Sequence, residues 1–335
     1  MEGRREESKA GMVRERHLIL RAVREFFYDR GYLEVETPSL GRTAPPDPFI
    51  EPLRVHVGGR GPYYLHTSPE MGMKKLLGRG HEKIFQICKA FRVEEFEEHH
   101  AVEFTMLEWY RGGTYREAME ETADLIRFLD GRASGGGGTP AREVRKVYDL
   151  SEFFLETTGI DPLPLGRDAL FSAMRGRGFQ GLTDEDSWED LFFKLFVQEV
   201  EPRVRERRED CFIKDWPASL TAMARRKDRH RVERFELYME GLEIANGYTE
   251  LLDAEEQRER FSRDNAVRIS RGKEGFPLDE DFLDALGRIR GPVAGVSVGL
   301  DRLLMVLYGR ERIGDVLADR FTAGVLPCAS STQLS

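Results

Sequence analysis

Arg234-Phe235-Glu236-Leu237-Tyr238-Met239-Glu240-Gly241-Leu242-Glu243-Ile244-Ala245-Asn246-Gly247-Tyr248-Thr249-Glu250 is the stretch from which the fold is read. Glu236, Glu243 and Glu250 stand there amid otherwise apolar or small residues. Met239-Glu240-Gly241-Leu242 closes a tight hairpin with Glu240 and Gly241 at its tip. In that register Tyr238 faces Glu243 and Glu236 faces Ala245. Glu236 and Glu243 then share a face as diagonal neighbours about 7–8 Å apart, a separation across which two carboxylates hold a divalent cation or a nucleotide's Mg²⁺. Two ordinary surface glutamates are the alternative, and flanking Ile244, Ala245 and Gly247 argue against open solvent.

A second hairpin lies upstream. Phe91 and Arg92 lead into the polar run Glu94-Glu95-Phe96-Glu97-Glu98-His99-His100, and Glu103 to Tyr110 resumes as a strand. Further strands are expected at Tyr32–Thr37, Arg54–Val57, Tyr63–His66 and Lys83–Cys88. Leu18, Ala22 and Phe26 give Val13–Tyr28 a helical stripe, and Gly31 is a C-cap signal. Helices are also expected at Pro69–Leu77, Tyr115–Leu129, Glu255–Arg271 and Leu303–Tyr308. Scattered strands in antiparallel pairs favour α+β over a doubly wound parallel sheet. One domain over 12–320 is expected, with tails at 1–11 and 321–335. It carries a flexible linker at 131–141 and a helical insertion over about 150–206.

The chain has 335 residues, 40% of them hydrophobic, which excludes a disordered or collagen-like polymer. A net charge of −9 is the wrong sign for a protein whose whole surface grips a polyanion. Cys88, Cys211 and Cys328 are far apart and read as reduced thiols. No apolar run is long enough to span a membrane and the N-terminus lacks a signal-peptide core, so a cytoplasmic protein is expected. No P-loop, dinucleotide fingerprint or zinc-spaced cluster occurs. Arg92, opening the long hairpin, and Arg302, opening a helix after Gly299, can each present a guanidinium fork to phosphate. Ion pairs with Glu94 and Asp301 are the plainer reading of each.

Three segments in order resemble the motifs of class II aminoacyl-tRNA synthetases. They are Gly31-Tyr32-Leu33-Glu34-Val35-Glu36-Thr37-Pro38, Phe91-Arg92-Val93-Glu94 with Glu103–Glu108, and Gly295-Val296-Ser297-Val298-Gly299-Leu300-Asp301-Arg302. Thr67-Ser68-Pro69-Glu70 and the 234–251 segment are similar to the lysyl branch. Ser68, Trp109 and Phe212-Ile213-Lys214-Asp215-Trp216-Pro217-Ala218-Ser219 are closest to its free-standing ligases that modify elongation factor P. About a dozen residues precede the first motif helix, too few for an anticodon-binding barrel.

The resemblance implies an antiparallel sheet flanked by helices, dimerising through the first motif. It implies activation of lysine or (R)-β-lysine by ATP with Mg²⁺, and transfer to a lysine of elongation factor P. Arg92 would hold the α-phosphate and the substrate carboxylate, and Arg302 the γ-phosphate. Glu94 would meet the adenine, with Leu237 and Gly299 also at the ATP site. Glu236 and Glu243 would hold Mg²⁺. Ser68, Glu70, Tyr110, Glu243, Asn246, Glu250 and Ser297 would form the amino-acid site, Glu70 and Glu250 receiving its ammonium groups. The chain departs from the family at Val93, Ala101 and Val102, and at Ser297, which leaves the choice between α-lysine and (R)-β-lysine open. Competing readings are a truncated lysyl-tRNA synthetase, served by the basic residues between Arg203 and Arg234, and a non-catalytic amino-acid or nucleotide sensor. The acidic net charge argues against tRNA, and the intact arginines and glutamates argue against the sensor.

Overall fold

Helix α1 (Glu2–Tyr28) starts well before the expected Val13. The Glu, Arg, Lys and Ala of residues 2–11, expected as a tail, are strong helix formers and extend the helix without an apolar stripe. The structure, a computed structural model, describes residues 2–93, 98–134 and 142–317, with residues 2–10 by backbone alone. Glu94, most of the glycine-rich linker, Cys328 and the 321–335 tail lie outside the described residues; Gly131–Ala133 complete a helix.

After α1 come β1 (Leu33–Glu34), β2 (Leu40–Gly41), β3 (Arg54–Val57), β4 (Arg60–Leu65) and α2 (Glu70–Leu77). The long hairpin is β5 (Ile84–Phe91) and β6 (Glu103–Gly112), and α3 (Tyr115–Ala133) follows, started by a Thr114–Glu117 capping box. Strand β7 (Lys146–Asp149) leads to α4 (Leu150–Thr158), α5 (Arg167–Gly176), α6 (Trp188–Leu195), a π turn and α7 (Glu201–Arg207). The chain continues through β8 (Cys211–Lys214), β9 (Arg234–Met239), β10 (Leu242–Thr249), α8 (Ala254–Ser270), α9 (Glu280–Leu286), β11 (Val293–Gly299) and α10 (Leu300–Leu307).

Eight strands form one sheet in the order β1-β5-β6-β11-β10-β9-β8-β7, and β2-β4-β3 form a small second sheet. The centre of the large sheet is antiparallel, as expected. Its two edge pairs, β1 with β5 and β7 with β8, are parallel. Parallel neighbours need a long crossover, and the α4–α7 block supplies it between β7 and β8. That block buries Phe153, Phe154, Phe192 and Phe196 against Ile213 and Trp216.

The hairpin tip is as expected, with Glu240 at φ 50° and Gly241 at φ 85°. The register is not. Tyr238 does face Glu243, but a bulge between Glu243 and Ala245 sets Glu236 opposite Asn246 rather than Ala245. An extra residue in one strand shifts every later pair by one.

Successive side chains of β6, β9, β10 and β11 point to opposite faces. Leu107, Trp109, Phe235, Leu237, Val296 and Val298 enter one core under α1, α3 and α10. Phe27 lies within it, 4.8 Å from the Phe85 ring and 5.2 Å from Trp109. Cys88 and Cys211 are free thiols. No described helix is long and apolar enough to cross a membrane.

Phe27 is fully buried, so Phe27→Ala should lower unfolding free energy by about 3–5 kcal/mol in urea titration. A loss under about 1 kcal/mol would contradict this placement.

Candidate active site

The polar residues of the central strands line up in two rows across the other face of the sheet. Paired positions give one row as Glu236, Asn246, Ser297, Glu108 and Gln86. The next is Arg234, Tyr248, Gly295, Tyr110 and Ile84. Above these rows lie two adjoining cavities of about 250 and 200 Å³. They share Ile50, Arg92, Asn246 and Ser297, so Arg92 stands at their junction.

The first chamber holds His99, His100, Ala101, Phe104, Glu243, Gly299 and Arg302. Arg302 donates from Nε to the His99 carbonyl at 3.2 Å and from Nη1 to the Glu243 carbonyl at 3.1 Å. Its Nη2 is 2.6 Å from His100 Nε2, and the Glu243 carboxylate is 3.8 Å away. These contacts aim the guanidinium along the wall. The ion pair with Asp301 considered from sequence does not form: Asp301 takes Arg16 at 2.6 Å and the Thr105 backbone N–H at 2.6 Å. Arg92 donates to the Thr67 carbonyl at 3.3 Å and lies 5.2 Å from the Phe104 ring centroid. A Cβ on Gly299 would meet only the Ile244 carbonyl, at 4.0 Å, and otherwise project into free space. Leu237, expected at this site, sends its side chain into the core on the opposite face.

Glu236 lies behind this chamber. Arg234 reaches its Oε1 at 2.5 Å and the Tyr238 hydroxyl donates to its Oε2 at 2.6 Å. Burial, and then the charge of Glu243, push the Glu236 carboxyl up to about 8. A buried carboxylate held up by a neighbouring carboxylate is suited to a cation between the two. Among the described residues no three His, Cys, Asp or Glu side chains gather as a metal group, so such a cation would need other ligands as well.

The second chamber holds Ser68, Glu70, Glu108, Tyr110, Tyr248, Glu250 and Asp264 besides the shared residues. Glu70 and Glu250 come together as expected, but not as an open pair. Lys74, fully buried, sets its ammonium between them, 2.5 Å from Glu70 Oε1 and in contact with Glu250 Oε2. Tyr248 donates its hydroxyl to Glu70. Tyr110 donates to Glu108 at 2.7 Å, while the Glu70 N–H reaches Ser68 Oγ at 3.3 Å. Asn246 Oδ1 accepts from Arg234, and Ser297 Oγ donates to the Asn246 carbonyl at 3.4 Å. A Cβ on Gly295 would collide with the Glu250 carboxylate and with Tyr110, so glycine leaves the notch that carboxylate fills.

Three buried carboxylates share one ammonium here. Burial pushes the Glu250 carboxyl up to about 8, Lys74 only partly countering it. Burial, with the charge of Glu70, holds Glu108 well above its ordinary range. Burial therefore favours a proton on Glu250 and Glu108. Lys74 and Glu108 were not expected as site residues, yet both carried a signal. Lys74 follows Glu70 by one helical turn, and Glu108 alternates with Trp109 beside Tyr110.

The family described as tRNA synthetases class II (D, K and N) matches residues 1–319. The chain is similar to the elongation factor P–(R)-β-lysine ligase of Pectobacterium atrosepticum, 40% identical over 315 residues covering 91% of this chain and 93% of that one. It is 38% identical over 316 residues to the ligase of that name from Pseudoalteromonas translucida, covering 91% and 94%. The Salmonella typhi ligase is 39% identical over 315 residues, covering 91% and 93%. With three motifs in order and a match along nearly its whole length, the chain belongs to the class II tRNA synthetases of the D, K and N type.

Proposed function

We propose that this chain is a ligase that activates lysine or (R)-β-lysine with ATP and transfers it to a lysine ε-amine of elongation factor P. The observation that carries the reading is the pair of joined chambers. One is walled by arginine; the other is floored by more carboxylate than its own ammonium can balance. Relatives that share nine-tenths of the chain bear the name of that activity.

In this reading the nucleotide occupies the chamber of Arg302 and Glu243, and the amino acid the chamber of Glu70, Glu108 and Glu250. The reacting carboxylate and α-phosphate then meet at the junction, where Arg92 stabilises the charge that develops. A carboxylate oxygen attacks the α-phosphorus, and the bond to pyrophosphate breaks. The acceptor amine, once deprotonated, attacks the acyl carbon and AMP leaves. The protein's contribution is positioning and charge. Glu243, with Glu236 behind it, would hold Mg²⁺, which supplies charge neutralisation on the phosphates. Exposed Leu18, Tyr28 and Leu33 support a homodimer through the first motif, and a cytoplasmic place belongs to the same reading.

A tRNA acceptor is disfavoured. Much of the basic run between Arg203 and Arg234 is spent on internal ion pairs: Arg207 with Glu156, Arg225 with Glu233, Arg226 with Glu256, Lys227 with Asp215 and Arg231 with Asp228.

Intact mass of elongation factor P after incubation with the enzyme, ATP, Mg²⁺ and each amino acid should show one added aminoacyl group. Total tRNA assayed in parallel should stay uncharged. Efficient tRNA charging with an unmodified protein would overturn the choice of acceptor. Arg92→Ala and Arg302→Ala should each lower lysine-dependent pyrophosphate exchange at least about tenfold, as expected for one lost charge-assisted contact. Near-normal exchange in either folded variant would remove that residue from the site.

Proton linkage gives an independent check. The free chain keeps Glu250 largely protonated below about 8. An arriving ammonium favours the carboxylate and expels the proton. Lysine binding should therefore release protons near neutral pH, seen as calorimetric heats that vary with buffer ionisation enthalpy. Affinity should rise as pH increases through about 8 and then level off. Buffer-independent heats would show that the carboxylates are already ionised.

A further inference from the structure

Lys74 is the charged side chain of the amino-acid floor that the reaction above does not use. It belongs to α2, one turn after Glu70. Its ammonium bridges Glu70 and Glu250 and sits 5.5 Å from the Tyr248 ring centroid. Burial works against that charge, but Glu250 and Glu70 outweigh it and hold Lys74 as an ammonium. Glu108 adds a third carboxylate, with Tyr110 as its hydrogen-bond donor.

The other charges of the chamber lie outside the Lys74 cluster, whose ammonium is held chiefly by Glu250 and Glu70. Arg234 lies on Glu236, Asp47 accepts the backbone N–H groups of Phe49 and Ile50, and Asp264 sits 3.9 Å from Arg263. Arg92 belongs to the junction. The floor therefore counts three carboxylates against one ammonium. Fully ionised, it has two unmatched negative charges, and lysine or β-lysine brings two ammonium groups.

We infer that Lys74 is a positioning residue that sets how many cations the chamber accepts: by neutralising one of three carboxylates and clasping Glu70 to Glu250, it matches the floor to a diammonium amino acid. This rests on the reading that the chamber binds lysine or β-lysine. Without Lys74 the floor holds three mutually repelling carboxylates. They take up additional protons, which an incoming substrate must then displace. Buried like charges resist ionisation together.

The test is pyrophosphate exchange with Lys74→Met, Glu70→Gln and the double variant. Lys74→Met should raise KM for lysine at least about tenfold, the scale of a lost charge-assisted contact, and leave KM for ATP nearly unchanged. The pH dependence of kcat/KM for lysine should move to higher pH. The double variant, which restores the balance to two unmatched carboxylates, should bind lysine better than Lys74→Met alone, although Glu70→Gln alone is harmful. A purely structural lysine gives no such reversal. If Lys74→Met does not fold, Lys74→Ala is assayed with added propylammonium; recovery with propylammonium and not with propanol is expected. An unchanged lysine KM and pH profile in Lys74→Met, additive losses in the double variant, or no propylammonium rescue overturns the role of Lys74. Absence of lysine-dependent exchange in the unaltered chain overturns the activation reading instead.

Discussion

The period of two along a β-strand is the constraint on which this molecule depends. In β6, β9, β10 and β11 it separates side chains that must be dry from side chains that must carry charge. Trp109 and Leu237 face a core; Glu108 and Glu236, one residue away, lie on the opposite face of the sheet, the side of the chambers. A one-residue slip in any of these strands would bury carboxylates in the core and turn leucines toward the substrates. Register is thus under pressure from both faces at once. The bulge after Glu243 is tolerated because it keeps Glu243 and Asn246 on the same side although three positions separate them.

Charge on that face is costly, and the fold offsets the cost unevenly. Asp301 is satisfied by Arg16 and a backbone N–H, so it is spent on structure. Glu236 is matched by Arg234 and a tyrosine hydroxyl. Glu70, Glu108 and Glu250 are under-compensated by the single ammonium of Lys74. A buried carboxylate without a full partner lowers stability, and such a site is where a cationic ligand recovers most on binding. Incomplete balance, rather than the presence of acidic residues, distinguishes the floor of the second chamber from the many paired glutamates elsewhere among the described residues.

Local chemistry was legible in the sequence; partners across distance were not. The 240–241 turn, the long hairpin and the helices begun near Glu70 and at Tyr115 follow from short-range rules, and they appear where expected. The start of α1 was missed because its first turns are held by propensity and not by an apolar stripe. The parallel edges were missed because nothing local in Leu33–Glu34 or Lys146–Asp149 encodes a neighbour that arrives far along the chain. The register at Glu236 was misread by one because a bulge has no signature in Ile244-Ala245. Glu70 and Glu250 were found, while the ammonium between them was not. An i, i+4 pair on a helix ordinarily means a solvated face, and only the packing of α2 against the sheet puts Lys74 in the dark.

On the proposed reading, the row Glu236, Asn246, Ser297 and Glu108 suits the sheet to a two-substrate reaction. Adjacent strands lie roughly 4.8 Å apart, so four successive strands span about the length of an extended amino acid joined to a phosphate. The outer positions carry carboxylates, one beside the Arg302 chamber and one in the floor of the Glu70–Glu250 chamber. The inner positions carry an amide and a hydroxyl, which remain neutral whatever passes over them. Arg92 approaches that neutral centre from the side and brings the one positive charge the junction needs. A fixed carboxylate at Asn246 or Ser297 would repel any anionic group brought to the junction. Neutral groups at the junction leave the Arg92 guanidinium unquenched there, so on the proposed reading it is free to stabilise the charge that develops in the transition state.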